Sequence, residues 1–429
     1  MKREMLGLAC ATLVLSNAAY AQSEQSGGPI FSFDGFGTLG LAHSSEDKAD
    51  FLANDLQGTG AGRGHSWSPD VDSRLGVQFS AQFTQQFSAV LQVVSEQRYD
   101  KSYRPQVEWG NVKYAFTPDL SVRVGRIVTP SFLESDTRKV GYAQPWVRPP
   151  VEVYGLVPLT NSDGVDLNYR LRLGAASHNL QVAYGSSSAE VPENGGTVSA
   201  KDAWLIADTM EYGAMTLHAA YSQSKFSLDQ FAPLFNGYRQ FAANPAVQAY
   251  APQAAAQADA LADRYDPDDT PITFFSIGAS YDPGDWFVMA EWGQTDTRSV
   301  FGKRQAWYAT GGYRLGKFTP YITYAEADLK SPQSDPGVTA LPGGAPFAVL
   351  NADAASLNAA LNEQLAGAPI QKTISVGVRW DFARNVAFKL QYDYSRLGKN
   401  SPGTLDHQLP GFVPGGSYSV VSAIFDFVF

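Results

Sequence analysis

About sixteen stretches of this chain alternate apolar and polar residues, and the connections between them are short and long in strict turn. In "SRLGVQFSAQF", Leu75, Val77, Phe79, Ala81 and Phe83 fall on one face, while Arg74, Gly76, Gln78, Ser80 and Gln82 fall on the other. Such period-2 patterning is the mark of a strand with two unlike faces. The segments read as strands run from 31–43 and 72–85 through 106–117, 119–127, 164–173, 177–185 and 201–212 to 385–395 and 416–429. Most are close to the ~10 residues of a tilted membrane strand.

One set of connections is tight. It includes "TPDL" at Thr117–Leu120, "YG" at Tyr212–Gly213, "DPGD" at Asp282–Asp285 and "ARN" at Ala383–Asn385. Gly, Pro, Asn and Asp dominate it because tight hairpins need a positive or fixed φ. The other set covers roughly 44–71, 98–105, 128–163, 186–200, 225–270, 297–303, 327–370 and 397–415. A soluble sandwich has no physical reason to segregate its connections this way, whereas a transmembrane barrel does. The expected fold is an all-β, transmembrane antiparallel β-barrel of about sixteen strands. Its short turns face the periplasm and its long loops the exterior. The loops at 225–270 and 327–370 carry Ala-, Leu- and Gln-rich runs with helical spacing.

The start of the chain reads as a cleaved secretory signal over residues 1–21. Lys2 and Arg3 precede a short apolar run, and Ala19 and Ala21 suit a signal peptidase. The barrel domain then covers 22–429. Cys10 is the single cysteine, so the mature chain has no disulfide or cysteine-ligated metal. The formal charge of −10 argues against nucleic acid as a partner. "DGFGTLG" spells G-x-G-x-x-G with Gly35, Gly37 and Gly40, a dinucleotide-binding pattern. It sits inside the first strand and is followed by a loop, so the glycines read as sites of bending or close approach. The five histidines are scattered, with no metal spacing and no nucleophile motif. No enzyme, metal or cofactor is expected.

The last strand, "VVSAIFDFVF", sets Val421, Ala423, Phe425, Phe427 and Phe429 on one apolar face. This resembles the terminal strand of the Gram-negative general porins, which ends in phenylalanine and is read by the barrel-assembly machinery. "EWGNVKYAFTPDLSVRVGR" looks like that family's hairpin before its third loop, and "NSDGVDLNYRL" is similar to the strand leaving it. The resemblance implies a sixteen-stranded barrel in the outer membrane, bounded by lipid and lipopolysaccharide, and a homotrimer. It also implies a third loop folded into the lumen and Phe429 as the assembly signal.

Aromatic residues recur at outward positions near strand ends: Tyr114, Phe116, Trp286, Trp292, Trp380, Phe382, Tyr392, Tyr394, Phe427 and Phe429. They read as an interfacial girdle. The third long connection, 128–163, carries Glu134, Asp136 and Glu152 beside Arg138, Lys139 and Arg148. Strand phase turns Arg74, Lys113, Arg123, Arg170, Arg172 and Lys389 toward the lumen, with Asp166, Glu291, Asp393 and Asp426. Arg126 shares parity with outward Val122 and Val124, so its place inside rests on the resemblance or on a bulge. The phase of 201–212 stays open, because Asp208 lies on the more apolar face. Basic wall residues facing an acidic loop make a selectivity device. The expected function is a water-filled channel for passive diffusion of small hydrophilic solutes and ions. The alternatives are an anion- or organic-acid-selective channel of the same fold, and a barrel whose long loops bind a surface partner.

Overall fold

The computed structural model describes residues 28–192, 196–341 and 347–429. The expected signal segment, with Cys10, lies outside the described residues. Among the described residues sixteen strands form one closed antiparallel barrel. They are β1 (Ile30–Ser44), β2 (Arg74–Gln82), β3 (Phe87–Glu96), β4 (Gln106–Ala115), β5 (Leu120–Val128), β6 (Asn161–Leu173), β7 (Ala176–Glu190) and β8 (Thr197–Tyr212). The second half is β9 (Met215–Leu228), β10 (Thr270–Tyr281), β11 (Trp286–Thr297), β12 (Lys303–Tyr313), β13 (Phe318–Leu329), β14 (Gln371–Ala383), β15 (Val386–Leu397) and β16 (Ser417–Val428). Each strand pairs with its sequence neighbour. β1 closes the ring by pairing Ile30–Thr38 with β2 and Phe36–Ser44 with β16. Closure leaves the ladder without a free edge, so that backbone groups of the wall pair within the protein as a bilayer demands.

The tight turns follow from local chemistry. Gly174 and Gly213 sit at φ 62° and 60° in two-residue hairpins, and Asn385 takes φ 61° in a third. At the other end the loops are long, but β7 and β8 extend to Glu190 and from Thr197. The loop expected at 186–200 is therefore mostly strand. A register shift between Lys201 and Trp204 settles the phase of β8: Leu205 and Ala207 are buried and inward, while Ile206 is exposed. Asp208 shares the outward parity of Ile206, and its Oδ2 lies 2.8 Å from His178 Nδ1.

The outward faces form an apolar belt. Phe33, Leu75, Leu91, Val124, Leu167, Val182, Ile206, Ile277, Ile322 and Val376 are all exposed. Tyr114, Phe116, Trp286, Trp380 and Phe429 stand toward the tight-turn end, and Tyr392 and Tyr394 toward the other. The G-x-G-x-x-G question resolves at the seam. A Cβ on Gly35 would come within 2.1 Å of the Phe429 ring, and one on Gly37 within 2.4 Å of the Phe427 ring. These glycines make room for aromatic rings of the last strand rather than for a phosphate.

The long-loop end is built up in two places. The loop after β9 carries α2 (Ala232–Ala242), α3 (Pro245–Tyr250) and α4 (Pro252–Tyr265). The loop after β13 carries α5 (Ala348–Ala366). Phe235, Tyr238, Val247, Ala258, Leu261 and Leu361 join these helices in a separate apolar core. In the loops that flank β1 and β16 at this end, Asp50–Phe51, Ala61–Gly62 and Leu405–Asp406 form a three-stranded sheet.

Candidate pore constriction

The chain between β5 and β6 is bonded to inward-facing groups of the wall, and the residues expected to line water divide into three groups. The first group anchors the connection. Arg148 Nε and Nη2 donate to the two carboxylate oxygens of Asp72 (2.8 and 2.6 Å), Nη2 also donates to Ser422 Oγ (2.6 Å), and Nη1 reaches Asp393 at 3.4 Å. The Arg148 side chain is 4% exposed. Glu152, expected on the lumen, is instead buried on α1 (Val151–Tyr154) and accepts from Gln371 Nε2 at 2.7 Å. Lys389, expected on the open wall, is 0% exposed; its Nζ donates to the carbonyls of Gly141 and Trp146 at 2.7 Å and pairs with Asp426 at 2.8 Å. The physical reason for these three corrections is shared: buried charges must be paired or hydrogen-bonded. A segment lying on a charged wall therefore consumes the charges it covers.

Lys139 belongs with the anchors. Its ammonium bridges Glu96 (2.6 Å) and Glu108 (2.8 Å). Burial works against that charge, yet Glu108 and Glu96 outweigh it and hold its pKa above the usual value. Arg138 turns back on its own segment and donates to the carbonyls of Val157 and Tyr154 (2.7 and 2.8 Å). Arg379, Trp146, Asp72, Glu96 and Glu108 were not singled out from the sequence. Arg379 donates to the carbonyls of Tyr142 and Gln144, and Trp146 Nε1 donates to Thr310 and Thr323. The parity of Arg379 opposite outward Trp380 was the available signal; Glu108 was hidden by a bulge in β4.

Arg126 forms the second group alone, and here the expectation fails. It keeps the parity of Val124, which is 52% exposed on the outside, and no bulge intervenes between β5 and β6. Its guanidinium donates to Asp163 at 2.7 and 2.6 Å, and Asp163 shares the outward parity of Val165. Arg126 is thus an outer-face residue, its charge met by a cross-strand carboxylate.

The third group stays in the lumen. Lys113 and Arg123 are register partners on β4 and β5, and Arg123 is next partnered by Asp166 on β6. Arg123 Nε donates to both Asp166 oxygens at 3.0 Å, and Gln181 Nε2 donates to Asp166 at 2.8 Å. Arg170 lies four residues beyond Asp166 on the same face of β6, nearer the tight-turn end. Neither Lys113 nor Arg170 has an ion-pair partner among the described residues, while Arg172 stands 3.6 Å from Asp119 and Arg74 3.9 Å from Glu96. Opposite this sector, Asp136 is exposed on the connection and within electrostatic reach of Arg123. Glu134 is half-buried beside it. Burial drives the Glu134 carboxyl up to about 7; a bond from Thr137 opposes the shift and Asp136 adds to it.

The sequence model for the Gram-negative porins matches residues 154–332 and 246–401, together more than half of the chain. The chain belongs to the Gram-negative porins. It is thereby a barrel-shaped channel protein of the outer membrane and not an enzyme. No curated protein sequence matches it. Among solved structures it is similar to the outer-membrane channel DcaP of Acinetobacter baumannii (12% identity, 94% of this chain and 99% of that one, TM-score 0.53). It is also similar to an anion-selective porin from Comamonas acidovorans (13%, 94% and 100%, TM-score 0.52) and to Salmonella typhi OmpF in complex with daunomycin (15%, 94% and 99%, TM-score 0.51). At these identities the likeness concerns the fold. Among the described residues no group of histidine, cysteine or carboxylate side chains could hold a metal ion.

Proposed function

We propose that this porin is a passive diffusion channel for small hydrophilic solutes that favours anions at its narrowest point. The supporting observation is the sector of Lys113, Arg123 and Arg170, in which two of three cations have no carboxylate partner among the described residues. Adjacent strands lie ~4.8 Å apart, well inside the ~10 Å Debye length at 0.1 M salt. Lys113 and Arg123 are thus felt together, and Arg170, further along β6, is within electrostatic reach of Lys113, so a permeating ion meets an extended positive sector. Asp136 and, when ionised, Glu134 face it from the connection between β5 and β6, which acts as the constriction loop. A field across the passage then orders water and sorts solutes by charge and dipole.

The same reading sets the tight turns in the periplasm and the long loops outside, among lipopolysaccharide. It has the strand ending at Phe429 recognised by the assembly machinery and the barrel working as a homotrimer. Family membership supports these points. The test is reversal potential in planar bilayers under a potassium chloride gradient. Wild type should give an anion-favouring sign, and Lys113→Ala with Arg170→Ala should move it toward cations. A cation-favouring wild type, or a double variant with unchanged potential, would refute the proposal.

A further inference from the structure

Next to the Arg123–Asp166 pair the lumen wall opens into a side pocket that ion passage does not require. Ala183, the register partner of Asp166, lies at its near edge. Leu156 and Leu159 of the constriction loop cover it, and Val198, Leu205 and Phe274 form its wall. The space measures about 130 Å³. No charged side chain lines it. Small wall residues such as Ala183 and Gly185 leave it open, because neither reaches the covering loop.

Hydroxyls interrupt the apolar side chains of the lining, among them those of Ser131, Ser222 and Ser224, and two buried ones lack a partner. Thr295 is 3% exposed, and its hydroxyl has no hydrogen-bond partner among the described residues; the Thr129 hydroxyl is in the same condition. Both residues line the pocket. A buried hydroxyl left unpaired costs about 1–3 kcal/mol on protein mutational scales, so a guest that bonds to it gains what the empty wall lacks. The absence of charge disfavours an ionic guest, whose desolvation nothing there would offset. A cavity of ~150 Å³ lined by apolar side chains accepts a benzene-sized ring.

We propose that this pocket binds a single-ring aromatic alcohol of the phenol class, the ring against Leu156, Leu205 and Phe274 and the hydroxyl on Thr295 Oγ1. The channel so acquires a resting site for a neutral solute beside its path for ions.

Fluorine NMR titration of 4-fluorophenol into the purified barrel in detergent tests this, with protein-free micelles as the partition baseline. Wild type should show one saturable site per chain above the linear partition. Ala183→Phe, which fills the pocket, should lose that site. Thr295→Val should weaken 4-fluorophenol about fivefold, the loss of one hydrogen bond, and leave fluorobenzene binding unchanged. Heat-dependent gel mobility verifies that each variant is folded. A purely linear wild-type titration overturns the proposal. So does a saturable site that survives in folded Ala183→Phe, or a Thr295→Val variant that binds 4-fluorophenol as wild type does.

Discussion

Replacing Arg148 by methionine should release the constriction loop without dissolving the barrel. Arg148 makes a two-pronged bond to Asp72, a third bond to Ser422 and an ion pair with Asp393. Asp72 and Asp393 are 1% and 7% exposed at their side chains. Methionine keeps most of the volume but leaves two carboxylates facing each other with their cation gone. Removing one partner of a buried pair costs about 3–5 kcal/mol. Since each 1.4 kcal/mol is about tenfold in an equilibrium, the undocked population should rise by about two to three and a half orders of magnitude. The barrel ladder is untouched, so the cost should fall on loop docking rather than on global unfolding. Single-channel recording should then show larger, noisier steps, and trypsin should cut after Lys139 in folded protein. Asp72→Asn combined with Arg148→Met removes one of the two stranded charges and should restore part of the docking. Conductance and protease resistance equal to wild type in the single variant would refute the claim that buried ion pairing holds this loop.

Glu134 provides a pH test. With its pKa raised to about 7 it is neutral at pH 5 and anionic at pH 9, so the lumen gains one negative charge per chain as pH rises through neutrality. Anion preference should fall between about pH 6 and 8, and the reversal potential of Glu134→Gln should be flat there; an equal slope in both would disprove the assignment. At the seam, Gly37→Val places a branched side chain where the Phe427 ring lies 2.4 Å from a Cβ. It should lower stability in urea by about 1–3 kcal/mol, as overpacking does, with partial relief from Phe427→Ala; unchanged urea stability would count against the close-approach reading.

The barrel was legible because a two-faced wall needs alternation and because tight turns need Gly, Asn or Pro; both are local requirements written residue by residue. Lys113, Arg123 and Arg170 were readable from strand phase for the same reason. What phase cannot show is which inward charge another segment covers. Lys389 has the same parity argument as Lys113, yet it lies beneath the carbonyls of Gly141 and Trp146. Arg148 and Glu152 look like pore-lining charges because nothing nearby in sequence announces Asp72 or Gln371, 76 and 219 residues away. Arg126 shows the reverse. Its parity pointed outward while the resemblance placed it inside; parity prevails, with the charge met by Asp163 across the strands. The helices of the long loops were partly visible at α3, α4 and α5, whereas α2, with three aromatic residues in eleven, hid its period in an aromatic-rich chain.

The seam of β1 has a consequence for biogenesis. On one edge of β1, Phe36–Ser44 find their partners among Val420–Val428 of β16, far away in sequence. Until that distant ribbon arrives, both borders of the nascent sheet are open templates for any extended chain nearby. The ring therefore stays open until β16 meets β1, and before that moment the free edges need shielding from one another and from neighbouring chains.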